Sequence, residues 1–307
     1  MRLALSSLSL CETVLYRCGS FSILSIRRVF SQVSMTLRQN DVFQVDAYPL
    51  SQLSTLPRKY KYVKTIHFLR HAEGTHNVNN QYRDLCNLDA RLTRDGVAQC
   101  EALRESAVFE NGHKNNVEPP HTSCDLIVTS TLTRCVQTAQ LCFPHLSSVP
   151  WLAHELVRET VNFACDRRRP ISTLRTEFPM IDFSNVPEEE DAIWNEYDVR
   201  LGSDWDYHRE SAELHRVANR GRAFLSWLSR RTEQNIIVCT HSAFLRCILS
   251  WGHPGGVYSM KDQTLDDRRD PGPDVPLFIY CGDKDFEEQM RADYKNCELR
   301  SLVIAFD

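Results

Sequence analysis

KTIHFLRHAEGTHN, residues 64–77, joins an apolar run to an arginine, a histidine, a glycine and a further histidine. The run to which it belongs, VKTIHFL at 63–69, is short and rich in β-branched and aromatic side chains, which predicts a strand buried on both faces of a parallel sheet. His71 stands just past that run. A lone histidine there more often satisfies a turn or cap than reacts, so its meaning depends on what the rest of the chain brings beside it.

Moving outward, LTRDGVAQCEALRESAVF at 92–109 reads as a helix with Thr93 as N-cap and Asp95 in the first turn, where a carboxylate suits the helix dipole. DLIVTS at 125–130 is a second buried strand, and Ser130 is placed to cap the helix TLTRCVQTAQLCF. NIIVCT at 235–240 followed by HSAFLRCILSW repeats the unit. SAELHRVANRGRAFLSWLSRR, from 211, carries Val217, Phe224, Leu225 and Leu228 on one helical stripe, and LRSLVIAF at 299–306 reads as a last strand. This alternation predicts an α/β fold, three layers deep, with a mostly parallel central sheet covered on both faces.

Two stretches fall outside the pattern. VPEEEDAIWNEYDVRLGSDWDYHRE, from 186, reads as a solvated acidic flank, and DDRRDPGPDVP, from 266, as a loop. At 307 residues the chain can bury a large core, and its net charge of −4 provides no global basic field for nucleic acid or an anionic membrane. No apolar run approaches the roughly 20 residues that cross a bilayer. The twelve cysteines include no C-x-x-C pair, which argues against a metal framework and for a reducing compartment.

Residues 1–40 differ in kind: Arg2, Arg17, Arg27, Arg28 and Arg38 stand against a single acid, Glu12, among many serines. That composition suits an organellar transit peptide. LALSSLSL allows a short secretory h-region, though no small-residue cleavage site follows, and a start at Met35 is a third reading. The expected organisation is a targeting-like or disordered segment at 1–40 and one domain over 41–307. The compartment is cytoplasmic, or mitochondrial or plastid if the segment is cleaved.

Open parallel sheets bind ligands at the carboxyl ends of their strands. Here those ends carry Arg70 and His71, then Ser130 and Arg134, then His241. Each has an ordinary structural explanation alone; recurrence at three equivalent positions does not. At this point the chain resembles the histidine phosphatase superfamily, which includes phosphoglycerate mutases and many phosphatases. Arg70-His71-Ala72 is similar to its Arg-His-Gly signature, with Asn77 matching a downstream asparagine. LTRDGVAQ resembles LTxxGxxQ, DLIVTSTLTRCVQTA the strand-SPLxRAxxTA segment, and IIVCTHSAFLR the strand-THxxxxR segment, and the likeness runs from about residue 62 to 305. Ala72 departs from glycine, which matters only if positive φ is needed there, and Thr131 departs from a proline taken to open the helix.

The resemblance implies a phosphoglycerate mutase-like fold, His71 as nucleophile, and Arg70, Arg134 and His241 around the transferring phosphoryl group. Asn77 and Ser130 would add substrate contacts. The proton donor is expected within HELVRETVNFACDRRR, as Glu155 or, preferred for the LVRE match, Glu159. Arg167, Arg168 and Arg169 follow, and the first two are taken as contacts to a second anionic group. CDRRR and NCELRS resemble a plant and fungal branch of phosphoglycerate mutase-like proteins regarded as phosphatases. The implied activity is hydrolysis of phosphate monoesters, with mutase-type transfer or a non-catalytic binding role as alternatives. The partner is a small phosphorylated substrate, with no cofactor and no metal. His67 and His76 keep a structural reading.

Overall fold

A computed structural model of the protein describes residues 43–106, 124–205, 208–256 and 275–307. Its elements in chain order are β1 (Val45–Tyr48), β2 (Tyr62–Arg70), α1 (Arg94–Glu105), β3 (Leu126–Thr129), α2 (Thr133–Cys142), β4 (Trp151–Ala153), α3 (Ile171–Glu177) and α4 (Ala192–Leu201). There follow α5 (Leu214–Ser229), β5 (Asn235–Thr240), α6 (Ser242–Ser250), β6 (Phe278–Tyr280), α7 (Lys284–Arg291) and β7 (Leu299–Phe306). The expected segment at 1–40 and most of the loop from 266 lie outside the described residues.

The strands form one sheet in the order β4-β3-β5-β2-β7-β1-β6. Four of the six pairings are parallel; β7 runs antiparallel between β2 and β1. Both faces are dry, as the near-continuous apolar runs predict. Ile66, Phe68, Val128, Ile236 and Val238 pack with α5, α6 and α7 on one side, and Leu69, Ile127, Ile237 and Cys239 with α1, α2 and α3 on the other. Alternation of side chains along each strand therefore feeds two cores rather than one core and solvent. Gly221 lets α5 approach α6, since a Cβ there would stand 2.4 Å from Ile248 Cγ2.

Several local expectations hold and several are corrected. Thr93 caps α1 by accepting from the Gly96 N–H, with Asp95 in the first turn. Ser130 does not cap α2. That helix begins three residues later, and the Thr133 N–H donates to Asp89 Oδ1 at 2.8 Å. Thr131 thus precedes the helix instead of opening it, so no helical position loses a proline. Ala72 is not among the residues of positive φ, and alanine fits its backbone.

The acidic flank from 186 is also corrected. Asp191 and Glu210 are buried, because each neutralises a buried guanidinium: Asp191 that of Arg158 and Glu210 that of Arg220. Among the described residues, no helix is long and apolar enough to cross a membrane.

Candidate active site

Strand register assembles the site. Arg70 pairs with Thr240 and Thr129 with Cys239, so β2, β5 and β3 end level with one another. The next residues extend the ladder: His71 N–H donates to Thr240 O at 2.9 Å and Ser130 N–H to Cys239 O at 3.0 Å. His71 and His241 consequently meet with ring centroids 5.1 Å apart. His241 Nε2 lies 2.8 Å from Ser130 Oγ, and the imidazole is fully buried.

The tautomer of His71 follows from its partner. Its Nδ1 lies 2.7 Å from the Ala72 carbonyl oxygen, which can only accept, so Nδ1 carries the proton and Nε2 the lone pair. The 72–77 turn that presents the ring rests on α1: a Cβ at Gly96 would stand 2.1 Å from Glu73 O, so the glycine of LTRDG is sterically required. Asn77 Oδ1 accepts from Gly74 N–H at 3.0 Å and bounds the same turn.

Around His71 stand two guanidiniums of different availability. Arg134 is fully buried and donates to Cys165 O at 2.6 Å and to Asp166 Oδ1 at 3.1 Å. Arg70 donates to Tyr294 O at 2.7 Å. In both, Nε is buried with no hydrogen-bond partner among the described residues, as is Nδ1 of His76. Two guanidiniums and the imidazoles of His76 and His241 gathered about His71 are a cluster suited to an anion with several acceptor oxygens.

Burial, then the charge of Arg134, holds the imidazoles of His71 and His241 well below their ordinary range, and the same causes push His76 down to about 2. The sign is that of a neutral, nucleophilic ring at working pH. NMR of the ring carbons is therefore expected to keep all three residues at neutral-imidazole shifts to about pH 5.5, a unit below where free histidine titrates. Titration of His71 near 6.5 would contradict the burial argument.

Of the two candidate acids, Glu155 is spent. It pairs with Arg158 and Arg168, each at 2.8 Å, and the two guanidiniums hold its carboxyl low against the opposing pull of burial. Glu159 is half-buried at the amino end of α6. Since His241 provides no side-chain cap, Glu159 accepts from Phe244 N–H at 3.0 Å and Ala243 N–H at 3.4 Å. Burial, with the Asp166 carboxylate beside it, pushes its carboxyl up.

The arginine run divides. Arg168 is buried, with Nη1 and Nη2 donating to the carbonyls of Arg169, Glu188, Glu189 and Glu190 and Nε paired to Glu155. The expectation that it contacts substrate is corrected; its fork ties down the 188–190 turn. Arg169 pairs with Asp89 and Glu177. Arg167 lies over the Trp194 ring at 5.8 Å and makes no ion pair among the described residues.

Sequence reasoning missed Asp166, which holds Arg134, and Asn296, whose Nδ2 donates to His71 O at 3.2 Å. An acid directly before three arginines was a signal for the first. Nothing in the sequence pointed to the second.

A family profile described as histidine phosphatase superfamily (branch 1) matches residues 66–262. Two Arabidopsis thaliana proteins named phosphoglycerate mutase-like protein and phosphoglycerate mutase-like protein 1 are 31% and 30% identical over 274 residues. The alignments cover 78% of this chain and 84% and 81% of theirs. The crystal structure of the ecdysone phosphate phosphatase from Bombix mori, in complex with tungstate, is 17% identical, covers 78% of this chain and 88% of that one, and superposes with a TM-score of 0.42.

Proposed function

We propose that this chain, which belongs to the histidine phosphatase superfamily, hydrolyses phosphate monoesters through a phosphohistidine formed at His71. The observation that carries the reading is the tautomer: Nδ1–H is held by the Ala72 carbonyl, which leaves the lone pair on Nε2. A neutral imidazole amid fixed cations is a competent nucleophile toward an anionic phosphoryl group.

In the first half-reaction the Nε2 lone pair attacks phosphorus, the P–O bond to the alcohol breaks, and the leaving oxygen takes a proton from Glu159. Arg70, Arg134 and His241 bind the equatorial oxygens, with Ser130 orienting His241 and Asn77 bounding the turn. In the second, the Glu159 carboxylate takes a proton from water, whose oxygen attacks phosphorus and releases His71. Arg167 gives the substrate's other end a cation. The substrate is a small phosphorylated molecule.

Glu159→Gln tests the acid. Because burial and Asp166 raise its carboxyl, the protonated form persists above the ordinary carboxylate range and is lost as pH rises, which gives kcat an alkaline limb. The variant is expected to lose that limb and about 10²-fold or more in kcat on alkyl phosphates, with a smaller loss on aryl phosphates whose leaving groups need no proton. An unchanged pH profile would remove Glu159 from the role.

The relatives' name favours a second reading, mutase-type transfer. It is distinguished by a phosphate isomer that forms only with bisphosphoglycerate present. Replacement of the longer basic segment of mutases by CDRRRPISTLRTEFP supports water as acceptor instead.

A further inference from the structure

The cysteines show no metal-ligand spacing along the chain, yet the fold gathers three of them. Cys100 in α1, Cys142 at the end of α2 and Cys297 before β7 are buried, and their sulfurs all lie within 4.8 Å of one another. Cys142 and Cys297 are 3.7 Å apart at Sγ. We propose that these three sulfurs form a binding site for a soft, thiophilic metal ion of the Cu(I) type. Sulfurs bound to one ion at about 2.3 Å in a trigonal array stand about 4 Å apart, so the cluster needs only a small contraction.

The choice of ion follows from the ligand set. Three thiol sulfurs converge, and among the described residues no fourth histidine, cysteine or carboxylate joins them. Zinc in a structural site takes four ligands, whereas Cu(I) is selected by soft sulfur donors and accepts three. Cys297 also holds a left-handed backbone, φ 57°, which a residue with a Cβ adopts at a cost. That conformation belongs to the turn that brings its sulfur to the middle of α1 and the end of α2.

Each thiol that binds the ion releases its proton to solvent. At 7% exposure Cys297 is the member nearest solvent, and its N–H donates to His71 O at 3.2 Å. The site is therefore one residue-to-residue contact away from the phosphatase centre, yet its occupancy can be measured without any turnover.

The test loads the full reduced chain with Cu(I) anaerobically, against a chromogenic Cu(I) chelator, and reads the ligands by X-ray absorption. One ion per chain with three sulfur ligands is expected, retained when Cys11, Cys18, Cys86 and Cys281 are all changed to serine. Cys142→Ser and Cys100→Ser should each lose the third sulfur and bind more weakly. Failure to compete with the chelator, nitrogen or oxygen ligands in the wild type, or a three-sulfur shell surviving in folded C142S would overturn the site. If both variants fail to fold, the wild-type spectrum and the quadruple serine variant still decide it.

Discussion

His71→Ala is expected to lower kcat/KM for a generic aryl phosphate by about 10⁴-fold or more and to eliminate any acid-labile phosphoenzyme. Alanine deletes the Nε2 lone pair while leaving Arg70, Arg134 and His241 to bind the phosphoryl group, so KM should move far less than kcat. Folding should survive. The only described hydrogen bond of the ring goes to the adjacent Ala72 carbonyl, so no distant element is released by its loss. Rapid-quench labelling with substrate phosphate, with circular dichroism as the folding control, makes the comparison. Activity within tenfold of wild type would mean that water attacks directly, and label retained in the variant would mean that another side chain carries the phosphoryl group.

The second large effect is on stability. Arg158 is fully buried and grips Asp191 with two parallel bonds, Nη1 to Oδ1 at 2.8 Å and Nη2 to Oδ2 at 2.7 Å. It also bonds Glu155 and the Asp166 carbonyl. Arg158→Met leaves Asp191 and Glu155 desolvated and short of positive charge, which should cost about 3–5 kcal/mol in denaturant unfolding. The double variant Arg158→Met with Asp191→Leu should recover much of that, because a buried pair is dearer to break than to replace by apolar bulk. If the double variant is no better than the single, the loss comes from packing and not from an orphaned charge. Activity should fall in the single variant even where it is folded. Asp166, which holds Arg134, is itself fixed by the Arg158 bond.

What the sequence revealed and what it hid divide along a physical line. β2, β3 and β5 were legible because strands buried on both faces are apolar throughout, and the residues after them were legible because parallel strands in register must present their ends together. Arg70, His71, Ser130, Arg134 and His241 converge for that reason alone. The short strands β1, β4 and β6, of three or four residues, lack the run of β-branched side chains that marks the equally short β3. Asp89 caps α2 from 44 residues away, a pairing no local rule contains. The acids from 186 looked solvated because charge runs usually are; their partners, Arg158 and Arg220, lie in other segments. Arg168 failed as a substrate contact for the converse reason, since four carbonyls and Glu155 had already claimed its fork.

β7 has a consequence for how the fold comes into being. It lies between β2 and β1, and the turn that leads into it supplies Asn296 and Cys297 to the carbonyl of His71. During synthesis the ribosome releases residues 62–70 more than two hundred residues before their neighbour at 299–306 exists. Until then β2 has an open edge beside His71, and such edges recruit other chains. A nascent chain stalled before residue 296 should accordingly be inert and prone to capture by chaperones, and competence should arrive late and all at once.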